Sequence, residues 1–176
     1  MACFIQLINK KTSMPKYIRQ NDEDSCTAIA IINALKWAGK KTSKKQDFFR
    51  LVENCYIIQG RGSISQVNFE TTLKQEGKNF LITKKYFNPD FKKIKKHLCY
   101  STNSIILKFC EYKQFGHVTF IEKFENGFYK LINFEKGKTY SYLNEEGLKQ
   151  LLDYKSYDLN ETYAYPYVWF LKKINN

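Results

Sequence analysis

Between Asn21 and Gly39 the chain changes from charged to apolar within two residues. "NDED" gives way at Ser25-Cys26 to "CTAIAIINALKWA", which is apolar on nearly every side of a helical projection. That pattern predicts a central helix buried all round. Asp22 to Ser25 offers N-cap chemistry and Gly39 sits where a left-handed stop belongs. "KKQDFFRLVENC" puts Phe48, Leu51, Val52 and Cys55 at helical spacing, which predicts a second helix. A third is expected over "GSISQVNFETTLKQEG", with Ser63 or Ser65 as cap and Gly77 as stop. "NFLITKKYF" reads as a short strand, and "DFKKIKKHLCY" as a fourth helix, basic and amphipathic.

From Ser104 the period changes. "SIILKFCEY", "HVTFIEKF", "GFYKLINF" and "KTYSYL" alternate with period two and are rich in β-branched and aromatic residues. "ENG" between the second and third marks a hairpin turn. "NEEGLKQLLDY" is expected to be a short helix and "YPYVWFLKKI" a last strand. Helices first and an antiparallel sheet afterwards make an α+β fold rather than βαβ winding. With 176 residues, 43% hydrophobic, and neither repeat nor linker, residues 1–176 are expected to form one domain.

Net charge, +12, raises the possibility of a nucleic-acid partner. However, the surplus comes from 26 lysines and only 3 arginines, beside 14 asparagines. Arginine is the residue of bidentate phosphate and guanine recognition. Lysine and asparagine are what AT-rich codons supply, so a solvated lysine surface is the favoured reading. Alternating aromatics from Tyr163 to Phe170 fit a half-buried strand better than a base-stacking platform. "GRGSIS" lacks the Gly-Lys-Ser/Thr ending of a phosphate loop.

The five cysteines form no CxxC pair and only two histidines accompany them, so no metal site and no cofactor is expected. "MACFIQLINKK" is too short and interrupted for a signal sequence, and no apolar run approaches a membrane span. Free thiols in a cytoplasmic, reducing compartment are therefore expected, with no membrane partner. Oligomeric state is left open.

Cys26 stands on the first turn of the central helix, where a thiol pKa falls. A histidine would lower it further. His97, in "KKIKKHLCY", reads as a solvated surface residue, whereas His117, in "FGHVTFIEKF", opens a strong strand beside a glycine. Asn133, in "YKLINFEKG", lies on the strand expected to pair with that of His117, and its amide is placed to orient the ring. Gln20 and the backbone N–H of Cys26 could donate to an oxyanion. Singly, each has a plain alternative: a core thiol, a satisfied core histidine, a turn asparagine, a surface glutamine. Cys3, Cys55, Cys99 and Cys110 read as small apolar fillers.

Gln20, then Cys26 after five intervening residues, a long apolar helix, "GHVTF" and "INF" follow an order that resembles papain-like cysteine peptidases. The resemblance is closest to the bacteriocin-processing family that cleaves double-glycine leaders, and its stand-alone relatives. It extends from about Tyr17 to the last strand. It implies a papain-like fold, N-terminal helices with the buried cysteine helix packed on a C-terminal antiparallel sheet. It also implies Cys26 as nucleophile, His117 as base and acid, Asn133 as orienter and Gln20 as oxyanion donor. A protein or peptide substrate follows from it. Thr27 stands where that family keeps glycine and narrows the room beside the thiol. Asn133 stands where the family commonly has aspartate; papain itself uses asparagine. No transporter segment follows, so export-coupled cleavage is not expected. The rival expectation is a non-catalytic papain-like or basic module that binds protein or, less favoured, nucleic acid.

Overall fold

The computed structural model describes residues 15–20, 25–40, 71–75, 80–87, 89–111, 115–135, 137–153, 156–157, 163–164 and 166–174. The expected second helix and the acidic run Asp22–Asp24 lie outside them; of the third helix, residues 71–75 are described and helical.

The apolar run forms helix α1, Cys26–Trp37, with every residue except Lys36 buried. Its C-terminus closes as the sequence demands. Gly39 has φ +89°, its N–H meets the carbonyl of Lys36, and the N–H of Lys40 reaches that of Leu35. This paired 5→2 and 6→1 closure is the Schellman motif, and its left-handed position favours glycine. At the other end the cap differs from expectation. Ser25 occupies the N-cap, but its side chain makes no cap hydrogen bond; its carbonyl accepts from Ile29 instead.

Among the described residues eight strands follow: β1 (Phe80–Phe87), β2 (Asn103–Glu111), β3 (Phe115–Glu125), β4 (Phe128–Ile132), β5 (Tyr140–Leu143), β6 (Ser156–Tyr157), β7 (Tyr163–Ala164) and β8 (Tyr167–Lys173). Among these residues, besides the helical stretch 71–75, the further helices are α2 (Phe91–Leu98) and α3 (Glu145–Asp153). Six strands make one sheet in the order β1-β8-β2-β3-β4-β5, every pairing antiparallel, while β6 and β7 pair separately. The "ENG" turn joins β3 to β4 with Asn126 and Gly127 both at positive φ (53° and 83°). That is the type I′ geometry whose twist suits a two-residue hairpin.

Period-two alternation divides the core. Ile106, Val118, Phe120, Ile132, Trp169 and Leu171 face α1. Ile105, Leu107, Ile121, Leu131, Val168 and Phe170 face Ile94 and Leu98 of α2 and Leu148 and Leu152 of α3. The fold is thus α+β, with the cysteine helix on one sheet face and two amphipathic helices on the other. α2 begins at Asp90, whose carboxylate accepts from the N–H of Lys92 (2.8 Å), and its last turn carries Lys95 and Lys96, cations that its dipole favours. No helix among the described residues is long and apolar enough to cross a membrane.

Leu35, fully buried where α1 meets the sheet, is the position to test this packing. Leu35→Ala should lower unfolding stability by about 2–5 kcal/mol, read as a lower denaturant midpoint at unchanged slope.

Candidate active site

α1 presents Cys26 at its positive end, and β3 runs beneath it. The thiol is only 8% exposed and lies in the same apolar cluster as Val118. Burial alone would push a thiol pKa up, and it is the largest single influence here. The hydrogen bond and charge of His117, the Val118 backbone and the Thr27 hydroxyl act together in the opposite sense and win, so the thiol lies below its ordinary 9.0. Thr27 Oγ1 is 3.9 Å from Cys26 Sγ.

The imidazole of His117 is held in one tautomer by an acceptor that cannot donate. Its Nε2 lies 2.9 Å from the main-chain carbonyl of Asn133, so Nε2 carries the ring proton in the neutral form. The proton-accepting nitrogen is then Nδ1. Phe109, its partner across β2 and β3, meets the ring edge-on at 5.6 Å and 76°.

Asn133 does more than sequence reasoning assigned to it, and by a different route. The expected orienting group was its side-chain amide; the ring is held by its backbone carbonyl instead. Asn133 can turn this carbonyl to the ring because it adopts φ +61°, the left-handed region that asparagine tolerates better than most residues. Its own N–H donates to the carbonyl of Thr139 (3.1 Å). Its side chain then turns to Gln20: Oδ1 accepts from the Gln20 N–H (2.6 Å) and Nδ2 donates to Gln20 Oε1 (3.2 Å).

Residues 17–20 cross this region as a strap, each with its own tether. The Tyr17 ring packs on Phe120 (centroids 6.1 Å apart), and burial with the neighbouring Glu122 carboxylate pushes its phenol well above the ordinary range. Ile18 exchanges two hydrogen bonds with the side chain of Asn33: its N–H donates to Oδ1 (2.9 Å) and its carbonyl accepts from Nδ2 (3.0 Å). Arg19 Nη1 donates to the carbonyl of Gly137 (2.7 Å). Gln20 is held by Asn133. Beside the strap, Lys130 pairs with Glu122 (2.9 Å) and lies over the Tyr140 ring (4.6 Å).

The structure therefore brings Cys26, His117, Asn133 and Gln20 into one connected chain of contacts. Asn33, fully buried, was missed by sequence reasoning. Its signal was present: one amide within an otherwise apolar helix face demands a partner. His97 departs from the solvated role expected of it. It is half-buried on the opposite sheet face, with Nε2 between the carbonyls of Ser104 (3.1 Å) and Leu171 (3.0 Å) and its ring edge-on to Phe170. Burial lowers its pKa, partly opposed by those carbonyls. Cys99 is exposed rather than a core filler. Of the other three, the side chains of Cys3, Cys55 and Cys110 lie outside the described set.

Among solved structures, a double-glycine motif protease from an AMS/PCAT transporter, determined with its leader peptide, superposes with a TM-score of 0.58. It covers 89% of this chain and 90% of its own at 15% identity. The fold is papain-like. The peptidase domain of Streptococcus ComA, a bifunctional ABC transporter in a quorum-sensing pathway, gives TM-score 0.58 at 11% identity over 89% of this chain and 97% of that one. A C39-like peptidase from Bacillus anthracis gives 0.57 at 10% identity over 94% and 96%. No protein-family model matches the sequence, and no curated protein does. At such identities the likeness carries the papain-like fold and leaves the chemistry to the residues.

The depressed thiol pKa has a measurable sign. The half-point of Cys26 alkylation by iodoacetamide should lie below pH 9.0, the rate falling as pH drops through it. His117→Ala removes the favourable partner but not the burial, so the half-point should rise and the neutral-pH rate fall by about tenfold or more. Peptide mass spectrometry across a pH series measures both.

Proposed function

We propose that this chain is a cysteine peptidase-like hydrolase acting on peptide or isopeptide bonds, its residues working as one domain. The observation that carries the reading is the juxtaposition of a helix-terminal, pKa-depressed thiol with an imidazole whose distal nitrogen is tied to a carbonyl. Cys26 is the nucleophile. His117 Nδ1 takes the thiol proton, leaving a thiolate–imidazolium pair beside the positive end of α1.

Attack on a scissile carbonyl forms the C–S bond and moves the carbonyl pair onto oxygen. The Gln20 side-chain amide and the Cys26 backbone N–H are the donors for that oxyanion. The imidazolium then protonates the leaving amine, and an acyl-enzyme remains. Water, deprotonated by the same Nδ1, releases the acid and restores the thiol. Asn133 orients the ring through its main-chain carbonyl. A peptide substrate is supported by the papain-like neighbour determined with its leader peptide, and free-thiol chemistry suits a reducing, cytoplasmic setting.

Exposed Cys99 provides an internal reference. Cys26 should be alkylated faster than Cys99 at neutral pH, and cleavage of a peptide library should fall about a thousandfold or more in Cys26→Ala. Equal labelling of the two thiols, or cleavage that survives Cys26→Ala, would defeat the proposal.

A further inference from the structure

Gln20 has no secondary structure to hold it: residues 15–20 form neither helix nor strand. An oxyanion donor must nevertheless be fixed before the charge develops, because a donor that has to reorganise loses much of its advantage. We propose that two asparagine side chains, Asn33 of α1 and Asn133 beyond β4, are positioning residues that fix Gln20 as the oxyanion donor. On this proposal the Asn133 side chain serves Gln20, while only its main-chain carbonyl serves His117. The inference rests on the hydrolase reading above.

Hydrogen-bond polarity decides the orientation of every amide involved. A backbone N–H can only donate, so the Gln20 N–H identifies the Asn133 atom facing it as Oδ1. The other end of that amide is then Nδ2, which can only donate, so the Gln20 atom it meets is Oε1. With Oε1 held by Asn133, the NH2 end of Gln20 is the end that can donate to a substrate oxygen. The same reasoning applies one step back along the strap. Asn33 takes the N–H and the carbonyl of Ile18 together, supplying the donor–acceptor pair that a neighbouring strand would supply. Asn33 is fully buried and Asn133 nearly so, so neither amide has water as a ready substitute.

Asn33 lies two helical turns beyond Cys26 on the same side of α1. One buried rod therefore carries the nucleophile at its end and the anchor of the oxyanion strap along its flank. Their separation is set by helix geometry rather than by loop conformation.

Two small probes separate the roles. Iodoacetamide alkylation of Cys26 is a displacement at carbon that develops no oxyanion, so it reads the thiolate–imidazolium pair alone. p-Nitrophenyl acetate acetylates the same sulfur through a tetrahedral oxyanion: the C–S bond forms, the carbonyl pair moves to oxygen, and its return expels p-nitrophenolate. The ratio of acetylation to alkylation rates thus reads the oxyanion donor. Asn133→Gly keeps the carbonyl on His117 and accepts the left-handed backbone readily, while deleting the amide.

The expected result is a ratio about tenfold or more lower in Asn133→Gly, matching Gln20→Ala, with no further loss in the double variant. The alkylation pH profile should stay at the wild-type position. Asn33→Ala should lower the ratio in the same way if it folds, as judged by its thermal transition; Asn133→Gly decides the matter if it does not. An upward shift of the alkylation profile in Asn133→Gly, with losses additive to those of Gln20→Ala, would overturn the proposal and return the side chain to histidine. In wild-type protein, a Cys26 no more reactive than Cys99 would instead overturn the hydrolase reading and the proposal with it.

Discussion

The packing of α1 against the β3 side of the sheet is the constraint on which the remaining geometry depends. A helix buried on all sides cannot rotate or slide without opening a void, because protein interiors are packed as densely as organic crystals. Its apolar contacts with Val118, Phe120, Ile132 and Trp169 fix where Cys26 ends up relative to the start of β3. They fix Asn33 by the same act. Everything placed by short polar contacts is therefore referred back to one apolar interface.

Those polar contacts sit in an environment that penalises them individually. Burial raises the thiol pKa of Cys26 and would by itself leave it inert. The same exclusion of water strengthens the attraction between thiolate and imidazolium, so the group that counters the penalty works best where the penalty is largest. Asn133 is economical in this respect. Its N–H, carbonyl and side-chain amide each meet a different partner, so a single left-handed residue ties Thr139, His117 and Gln20 together. It makes these contacts at a φ of +61°, in the left-handed region that asparagine tolerates better than most residues.

How far the sequence discloses this arrangement varies with the range of the interaction. α1 was legible because its signals are local: an apolar run, a charged lead-in and Gly39 at the stop. The alternating strands and the "ENG" turn were legible for the same reason. Cys26, His117, Asn133 and Gln20 could be nominated from residue type and order, and the fold does bring them together. The manner of contact was not legible, since whether Asn133 offers a ring its amide or its carbonyl depends on a backbone angle that sequence spacing does not encode. His97 was misplaced because a lysine-rich context suggests solvent. The helix presents its lysines outward and tucks His97 against the carbonyls of Ser104 and Leu171. Asn33 was overlooked because hydrophobic patterning counts an apolar face and passes over its one exception.

The position of β8 reaches beyond the site. This strand, last of the described elements, lies between β1 and β2 rather than at an edge, and β1 joins the sheet only through it. Neighbours such as Ile82 and Leu171 are thus brought together across roughly half the chain. Local helices and the β3–β4 hairpin can form early, but the sheet becomes continuous only when β8 inserts. Loop-closure entropy opposes that step until the pairing is made. The apolar cluster around Cys26 includes Trp169 and Leu171 of that strand, so a chain emerging from synthesis carries its thiol long before it has the frame that encloses it.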